Sequence, residues 1–274
     1  MGVNHYGRLV FPPLIRLPVP LNNHHGAVAT GAPVQLIFWG PEWNDPNANP
    51  SASALIAAVQ NILTGPYLSG LRQYGIAPST YGGATFIVSP GPPLAPRTFD
   101  DSSIQDKVQE LIDEGRFPEP DEGGHFLYII MMPPNTIYGP GGAGGAHSVG
   151  INTLIDLDRT WVAWIGHDNL IGMTETFCHE LVEMCTDPEH DAWIVDSDEL
   201  SDTDNEICDI CNQNQNLNGD WVTAYWSMFD NACLIPTAYS VRRALAMAGI
   251  ALNGRGIRSF QSPIPSLRSW LRTL

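Results

Sequence analysis

The sequence predicts an α/β (α+β) domain built on a mixed, partly parallel sheet, with long irregular loops. Two observations carry this expectation. Short apolar runs bounded by glycine and proline alternate with segments of helical period over the first two thirds of the chain, as strands and helices packed in layers require. The 26 glycines and 23 prolines call for well-defined loops between short elements and argue against a helical bundle. With 274 residues, 43% of them hydrophobic, the chain can bury one sizeable core. It divides into an extended arm (1–31), a single α/β domain (32–238) and a C-terminal helix with a basic tail (239–274).

Residues 1–31 are rich in proline and glycine and lack a period, so they are expected to lie as an arm over the core. PVQLIFWG, apolar with a β-branched and aromatic bias and bounded by Pro33, Gly40 and Pro41, is a buried strand. ASALIAAVQNILTG is a helix with Ser51 as N-cap and Gly65 at its end, and YLSGLRQYG is a second, short helix. ATFIVS makes another strand. SSIQDKVQELIDEG makes a helix capped near Ser102 and ended by Gly115, with Ile104, Val108, Leu111 and Ile112 at helical spacing. HFLYIIMMP shows no polar alternation and reads as a third, fully buried strand. The glycine-rich loop GPGGAGGAHS lacks the GK[ST] ending and the following helix of a phosphate cradle. WVAWIG is a fourth strand, leading into a helix with the segment TFCHELVEMCTDPEHDAW, residues 176–193. Beyond it the chain is acidic and irregular. YSVRRALAMAGIAL then reads as an amphipathic helix, followed by a tail carrying Arg255, Arg258, Arg268 and Arg272 that is expected to dock on the body or on a partner.

Twenty-nine acidic against 13 basic side chains give a net charge of -16, which disfavours nucleic acid and anionic membranes as partners and favours cations. No apolar run reaches the ~18 residues of a membrane helix. The best N-terminal candidate, LVFPPLIRLPVPL, is broken by prolines and Arg16, so neither a membrane span nor a signal sequence is expected here, and a cytoplasmic location stays open. The five cysteines, at 178, 185, 208, 211 and 233, are odd in number, leaving at least one thiol free or paired with another chain. Cys178 and Cys185 would be separated by a rise of about 10 Å on one helix, too far for a mutual disulfide. Cys208 or Cys211 with Cys233 is the expected bridge.

At about 100° per residue, Phe177, Leu181, Met184 and Cys185 share one stripe of their helix, taken as its core side, and Cys178 on that stripe should be inert. His179 and Glu183, one turn apart, fall on the opposite side, with Glu180 and Asp187 close by. Pro188 drives Asp187 out of helical dihedrals and ends the helix. In the HExxH zinc helix two histidines at i and i+4 reach one ion while the glutamate beside the first polarises a water. Here the fifth position is glutamate, giving HExxE, a more negative version of the same pair. A His and a Glu one turn apart also occur on the solvent side of ordinary helices, so a further ligand must decide.

NEICD, residues 205–209, offers it. In gluzincin peptidases a glutamate from a later helix is the third ligand and a nearby aspartate orients the first histidine. Glu206 resembles that ligand and Asp209 that aspartate, although the spacing is one residue short and Asp209 could itself be the ligand. Glu189 stands ten residues beyond His179, where metzincins place a ligand, but Thr186 occupies the position where their helix needs glycine. His147 and His190 are further candidates. The ten carboxylates between 187 and 209 otherwise describe a solvated or calcium-stabilised loop, although DTDNE lacks the central glycine and closing glutamate of an EF-hand. Cys208 and Cys211 form a C-x-x-C without the second pair of a structural zinc site.

The stretches HHGAVATGAPVQLIFWGPEW, PYLSGLRQYG, GGAHS, CHELVEMCTDPEHDAW, NEICDIC and AYWSMFDNAC run in one order from about residue 24 to 233. In them the chain resembles a bacterial relative of the plant EXORDIUM, or phosphate-induced-protein, family. The resemblance implies an exported protein in which the HELxE and E-I-x-D-x-C segments belong together, and its plant members are associated with the cell wall and growth. Gly145 and Ala146 stand where the family has Cys-Gly before His147, so a family disulfide is missing there.

Two functions are therefore expected to compete. One is a zincin-like, metal-dependent hydrolase, a zinc metallopeptidase acting on a peptide or protein substrate. His179, Glu183 and Glu206 would hold the metal, Glu180 would be the general base, and Asp209 would orient His179. The other is a non-catalytic extracellular binding or signalling protein whose acidic cluster holds calcium or zinc for stability.

Overall fold

The computed structural model describes residues 2–4, 8–11, 21–87, 98–117, 126–141, 144–151, 159–196, 205–211 and 213–237. In chain order its strands and α-helices are β1 (Gly2–Asn4), β2 (Arg8–Phe11), β3 (Leu21–Asn23), β4 (Pro33–Trp39), α1 (Ala52–Thr64), β5 (Thr80–Ile87), β6 (Thr98–Phe99), α2 (Asp101–Asp113), β7 (Leu127–Met131), β8 (Ile137–Tyr138), β9 (Gly145–Ile151), β10 (Arg159–Ile165), α3 (Leu170–Thr186), β11 (Trp193–Val195), β12 (Asn214–Leu217), β13 (Asp220–Thr223), β14 (Tyr225–Ser227) and β15 (Ala232–Pro236).

The protein is α/β, with a mixed five-stranded sheet in the order β5-β4-β7-β10-β9. The first four strands run parallel to their neighbours, and β9 closes the edge antiparallel to β10. Central strands of such a sheet are covered on both faces, which is why LYIIM and TWVAWI are apolar without alternation. On one face α1 and α3 build the larger core, around Leu36, Phe38, Leu55, Ile129, Phe177 and Leu181. On the other, Ile104, Val108 and Leu111 of α2 pack on Ile37, Ile130 and Val162.

Local signals account for most helix ends. Ser51 caps α1, its hydroxyl accepting the Ala54 N–H at 3.2 Å. The cap of α2 is Asp100 rather than Ser102. Its Oδ1 accepts from the Ser103 N–H at 2.9 Å and from both serine hydroxyls, a negative charge at the positive end of the helix. YLSGLRQY winds as a 3-10 helix ending at the left-handed Gly75. The arm is tied in: β2 pairs with β15 inside the sheet β1-β2-β15-β14, and β3 pairs with β11. The helix and basic tail expected over 239–274 lie outside the described residues, and among the described ones no single helix is long and apolar enough to cross a membrane.

Two differences from the sequence expectation position the site. Part of the expected glycine-rich loop is β9, held by a register of seven residue pairs against β10 that sets His147 opposite Ala163. Glycine belongs at 145 because a Cβ there would run into Thr176 Cγ2 and come within 3.2 Å of Glu180 Oε1, so its absence lets the edge strand settle on α3. The second difference is α3 itself, which starts at Leu170, capped by Asn169 Oδ1 accepting the Gly172 N–H at 2.8 Å. Phe177, Leu181, Met184 and Cys185 form the buried stripe as expected, but Glu180 and Glu183 on the supposedly wet side are buried too. Packing of α3 against β9, β10, α1 and β13 leaves it no true solvent face.

Candidate metal centre

Three segments meet at the polar side of α3. The helix supplies His179, Glu180 and Glu183 from consecutive turns, β9 supplies His147, and the turn 205–211 supplies Glu206 and Asp209. That turn is fixed from several directions. The Trp226 N–H donates to the Ile207 carbonyl at 3.0 Å, the Val195 N–H to Asn205 at 2.8 Å, and a disulfide joins Cys211 to Cys233 on β15. The bridge is one of the two expected, and Cys178, Cys185 and Cys208 are buried free thiols. Within the turn Asp209 Oδ2 accepts the Glu206 N–H at 3.1 Å, and the Cys208 N–H donates to Glu183 Oε1 at 3.3 Å, locking loop to helix.

The donor atoms converge in two halves. In the first, His179 Nε2 lies 3.1 Å from Glu183 Oε2 and 3.2 Å from Asp209 Oδ1. An orienting aspartate would take the other ring nitrogen, so Asp209 stands where a ligand would rather than behind the histidine. In the second half, Glu206 lies between two histidines, Oε1 3.4 Å from His147 Nε2 and Oε2 3.5 Å from His190 Nδ1, and the two rings stack at 4.6 Å. Glu183 joins the halves, grouped with Glu206 and Asp209 on one side and with His147 and Glu180 on the other, donor atoms within 4.8 Å of one another in each group. His179 and Glu206 are each grouped with Glu183 but not with each other. Such buried sets of histidine nitrogen and carboxylate oxygen can hold a metal ion.

Charge is crowded here. Burial opposes the cationic form of His147, yet the charge of Glu206 and the bond to Glu180 overcome it and raise its pKa well above the ordinary value. His147 Nε2 also lies 3.3 Å from the Asp187 carbonyl, which only accepts, so a proton on that nitrogen would be donated there. His179 is raised in the same way, burial being outweighed by Glu183 and Asp209. For Glu183, burial, together with Glu206 and Asp209, outweighs His179 and holds the carboxyl well above the usual range. Burial pulls Glu206 the same way, but His147 and His190 prevail and lower it to about 2. Glu206 Oε1 and Asp187 Oδ2 are nonetheless buried without a hydrogen-bond partner.

Glu180 extends its Oε2 to within 3.3 Å of His147 Nδ1 and, with His179 and Asp209, lines a cavity of about 350 Å³ bounded by Gly144, Gly145 and Thr176. Glu189, the metzincin-spaced alternative, is engaged elsewhere: it pairs with Arg159 and accepts the Trp161 indole N–H at 3.1 Å. Asp187 had no assigned role in the sequence. Its Oδ1 accepts the Asp191 and Ala192 N–H groups at 2.6 and 2.7 Å, which turns the chain after Pro188 and brings His190 to Glu206. An Asp-Pro at a helix end followed by a histidine was the available signal.

Comparison with protein-family models, with curated proteins and with solved structures returned no match.

Proposed function

We propose that this protein is a metal-dependent hydrolase of peptide or related amide bonds, with zinc the ion its donors suit best. The observation that carries this is that Glu183 and Asp209 both reach His179 Nε2, at 3.1 and 3.2 Å, with Glu180 beside them on the cavity wall. Buried oxygens on Glu206 and Asp187 without a hydrogen-bond partner support the fit to a cation, because a buried polar atom left unpaired is costly. An all-oxygen set would suit calcium, whereas imidazole nitrogen with carboxylate suits zinc. Bound there, zinc would supply Lewis acidity and a more acidic water.

The chain's own residues do the rest. Glu180, aimed by its bond to His147, faces the cavity and is placed to take a proton from water and return it to the leaving amine. His179 and Glu183 are set by one helical turn, so their spacing is rigid. The antiparallel edge strand β9 has no strand on its outer side among the described residues, and its first residue, Gly145, lines the cavity together with the preceding Gly144. An extended peptide added along that edge would lay its backbone across Glu180. The resemblance to the EXORDIUM family agrees with an exported protein, and the basic tail would serve contacts with a partner or with the body.

The test is metal analysis of purified protein beside a Glu180→Gln variant, with a peptide library as substrate. The proposal expects metal retained and hydrolysis reduced about 10²–10⁴-fold in the variant. Absence of stoichiometric metal after reconstitution would sink it. If metal binds but its removal changes only the melting temperature, and the wild type hydrolyses nothing, the site is structural and the non-catalytic binding protein is the right reading.

A further inference from the structure

We infer that the centre takes two divalent cations: one held by His179, Glu183 and Asp209, a second by His147, His190 and Glu206, with the carboxylate of Glu183 between them. The inference rests on the reading that this centre binds metal, and goes beyond it in number and in ligands.

Three observations lead there. The first is geometry. Ligand atoms of a tetrahedral ion with bonds near 2.0–2.1 Å are about 3.3 Å apart. In the first half the separations are 3.1 and 3.2 Å, and in the second 3.4 and 3.5 Å. His147, His190 and Glu206 lie within 4.8 Å of one another as one group that includes no donor of the first half, where Glu183 and Asp209 flank His179 Nε2. The second is the pair of orphaned oxygens. Glu206 Oε1, 3.4 Å from His147 Nε2, belongs to the second half, and Asp187, whose carbonyl lies 3.3 Å from the same nitrogen, carries the other; both side chains are more than nine-tenths buried. A buried carboxylate oxygen without a donor is a ligand position in want of a cation.

The third is charge. Glu180, Glu183, Asp187, Glu206 and Asp209 bring five carboxylates, four of them buried, and the histidines His147, His179 and His190 face them. With all five ionised and the imidazoles neutral, as metal binding requires, one divalent ion leaves three negative charges and two leave one. Binding would replace the imidazolium protons, freeing His147 Nε2 for the second ion. Glu183, grouped within 4.8 Å with Glu206 of one half and Asp209 of the other, is placed as the shared ligand.

The experiment strips the full chain with chelator and titrates it with Zn(II) and, separately, Co(II). Metal per chain is counted after desalting, and the Co(II) form is read by low-temperature electron paramagnetic resonance. Wild type should retain two equivalents, with a spin-coupled Co(II) signal. His190→Ala, a change at a partly exposed ring, should retain one equivalent and give an uncoupled signal. His179→Ala should also lose one equivalent, leaving the other half loaded. A single equivalent in wild type, unchanged by His190→Ala, overturns the second site and leaves the hydrolase reading standing. Two equivalents that survive His190→Ala overturn the ligand assignment. No bound metal sinks both proposals.

Discussion

Helices α2 and α3 lie on opposite faces of the same sheet, and they solve the problem of polar side chains in opposite ways. On α2 the apolar residues Ile104, Val108, Leu111 and Ile112 face the sheet. Its exposed polar residues look outward, Gln109 donating to Asp113, while the one buried charge, Lys107, lies over Trp39 and pairs with the half-exposed Glu110. On α3 the polar side is covered by β9 and the turn 205–211, so Glu180 and Glu183 are buried with no lysine or arginine in their described ion pairs. An amphipathic helix stabilised by its pattern differs from a helix whose polar face has been enclosed. Enclosure of carboxylates is tolerated only where cations compensate them.

Removing metal should break that contrast most strongly. With free metal at about a thousand times its Kd, binding contributes about 4 kcal/mol to stability. Chelation should therefore lower the melting temperature of the whole domain, and a metal-independent melting curve would count against the centre. A pH series separates the same forms. His147 and His179, raised in the folded protein, stabilise it fully below pH 6.5 and lose that contribution as pH rises through their folded values. Glu183, raised by burial, changes stability in the same direction, beginning above its ordinary value of 4.5. Glu206 runs oppositely, contributing above 4.5 and losing its contribution as pH falls toward about 2. Chelated protein should thus weaken steadily above pH 6.5, while metal-loaded protein holds because its ligands bind more tightly as protons leave. Parallel melting profiles for the two forms would contradict this.

Gly145→Ala should cost about 1–3 kcal/mol, since the added Cβ meets Thr176 Cγ2 and crowds Glu180. On the proposed hydrolase reading, activity should fall further than stability, because His147 and Glu180 are pushed apart; equal, small losses in both would argue that β9 does not set the site. Asn169→Ala, which removes the cap of α3, is expected to cost about 1 kcal/mol while leaving metal content unchanged. Gln109→Ala on α2, which removes an exposed bond to Asp113, should be the mildest, below about 0.5 kcal/mol by thermal melting.

Elements with a local cause were legible in the chain. Apolar runs bounded by Pro and Gly gave β4, β7 and β10, Ser51 and Gly65 framed α1, and the 3.6 period located α2 and α3. The pairing of HELVE with NEICD was readable as chemistry, since both segments carry ligand types at close spacing. What stayed hidden depended on pairing across the fold. The strand at 145–151 reads GAHSVGI, with too little apolar signal to stand out, and becomes a strand only because β10 offers its edge. Glu189 had a ligand's spacing, but Arg159 and Trp161 claim it from another element.

The sequence by itself determined the layered α/β class, the turn of helix that holds His179 and Glu183 together, and the acidity that makes a cation the natural partner. These follow from neighbours a few residues apart, where backbone geometry leaves little choice. Only the tertiary structure decided that the polar side of α3 is enclosed, that Asp209 shares the nitrogen of His179 used by Glu183, and that His147, His190 and Glu206 form a second half. Those relations join residues up to about sixty positions apart. Side-chain chemistry names candidates for such meetings, but the register of an edge strand and the anchoring of one turn choose among them.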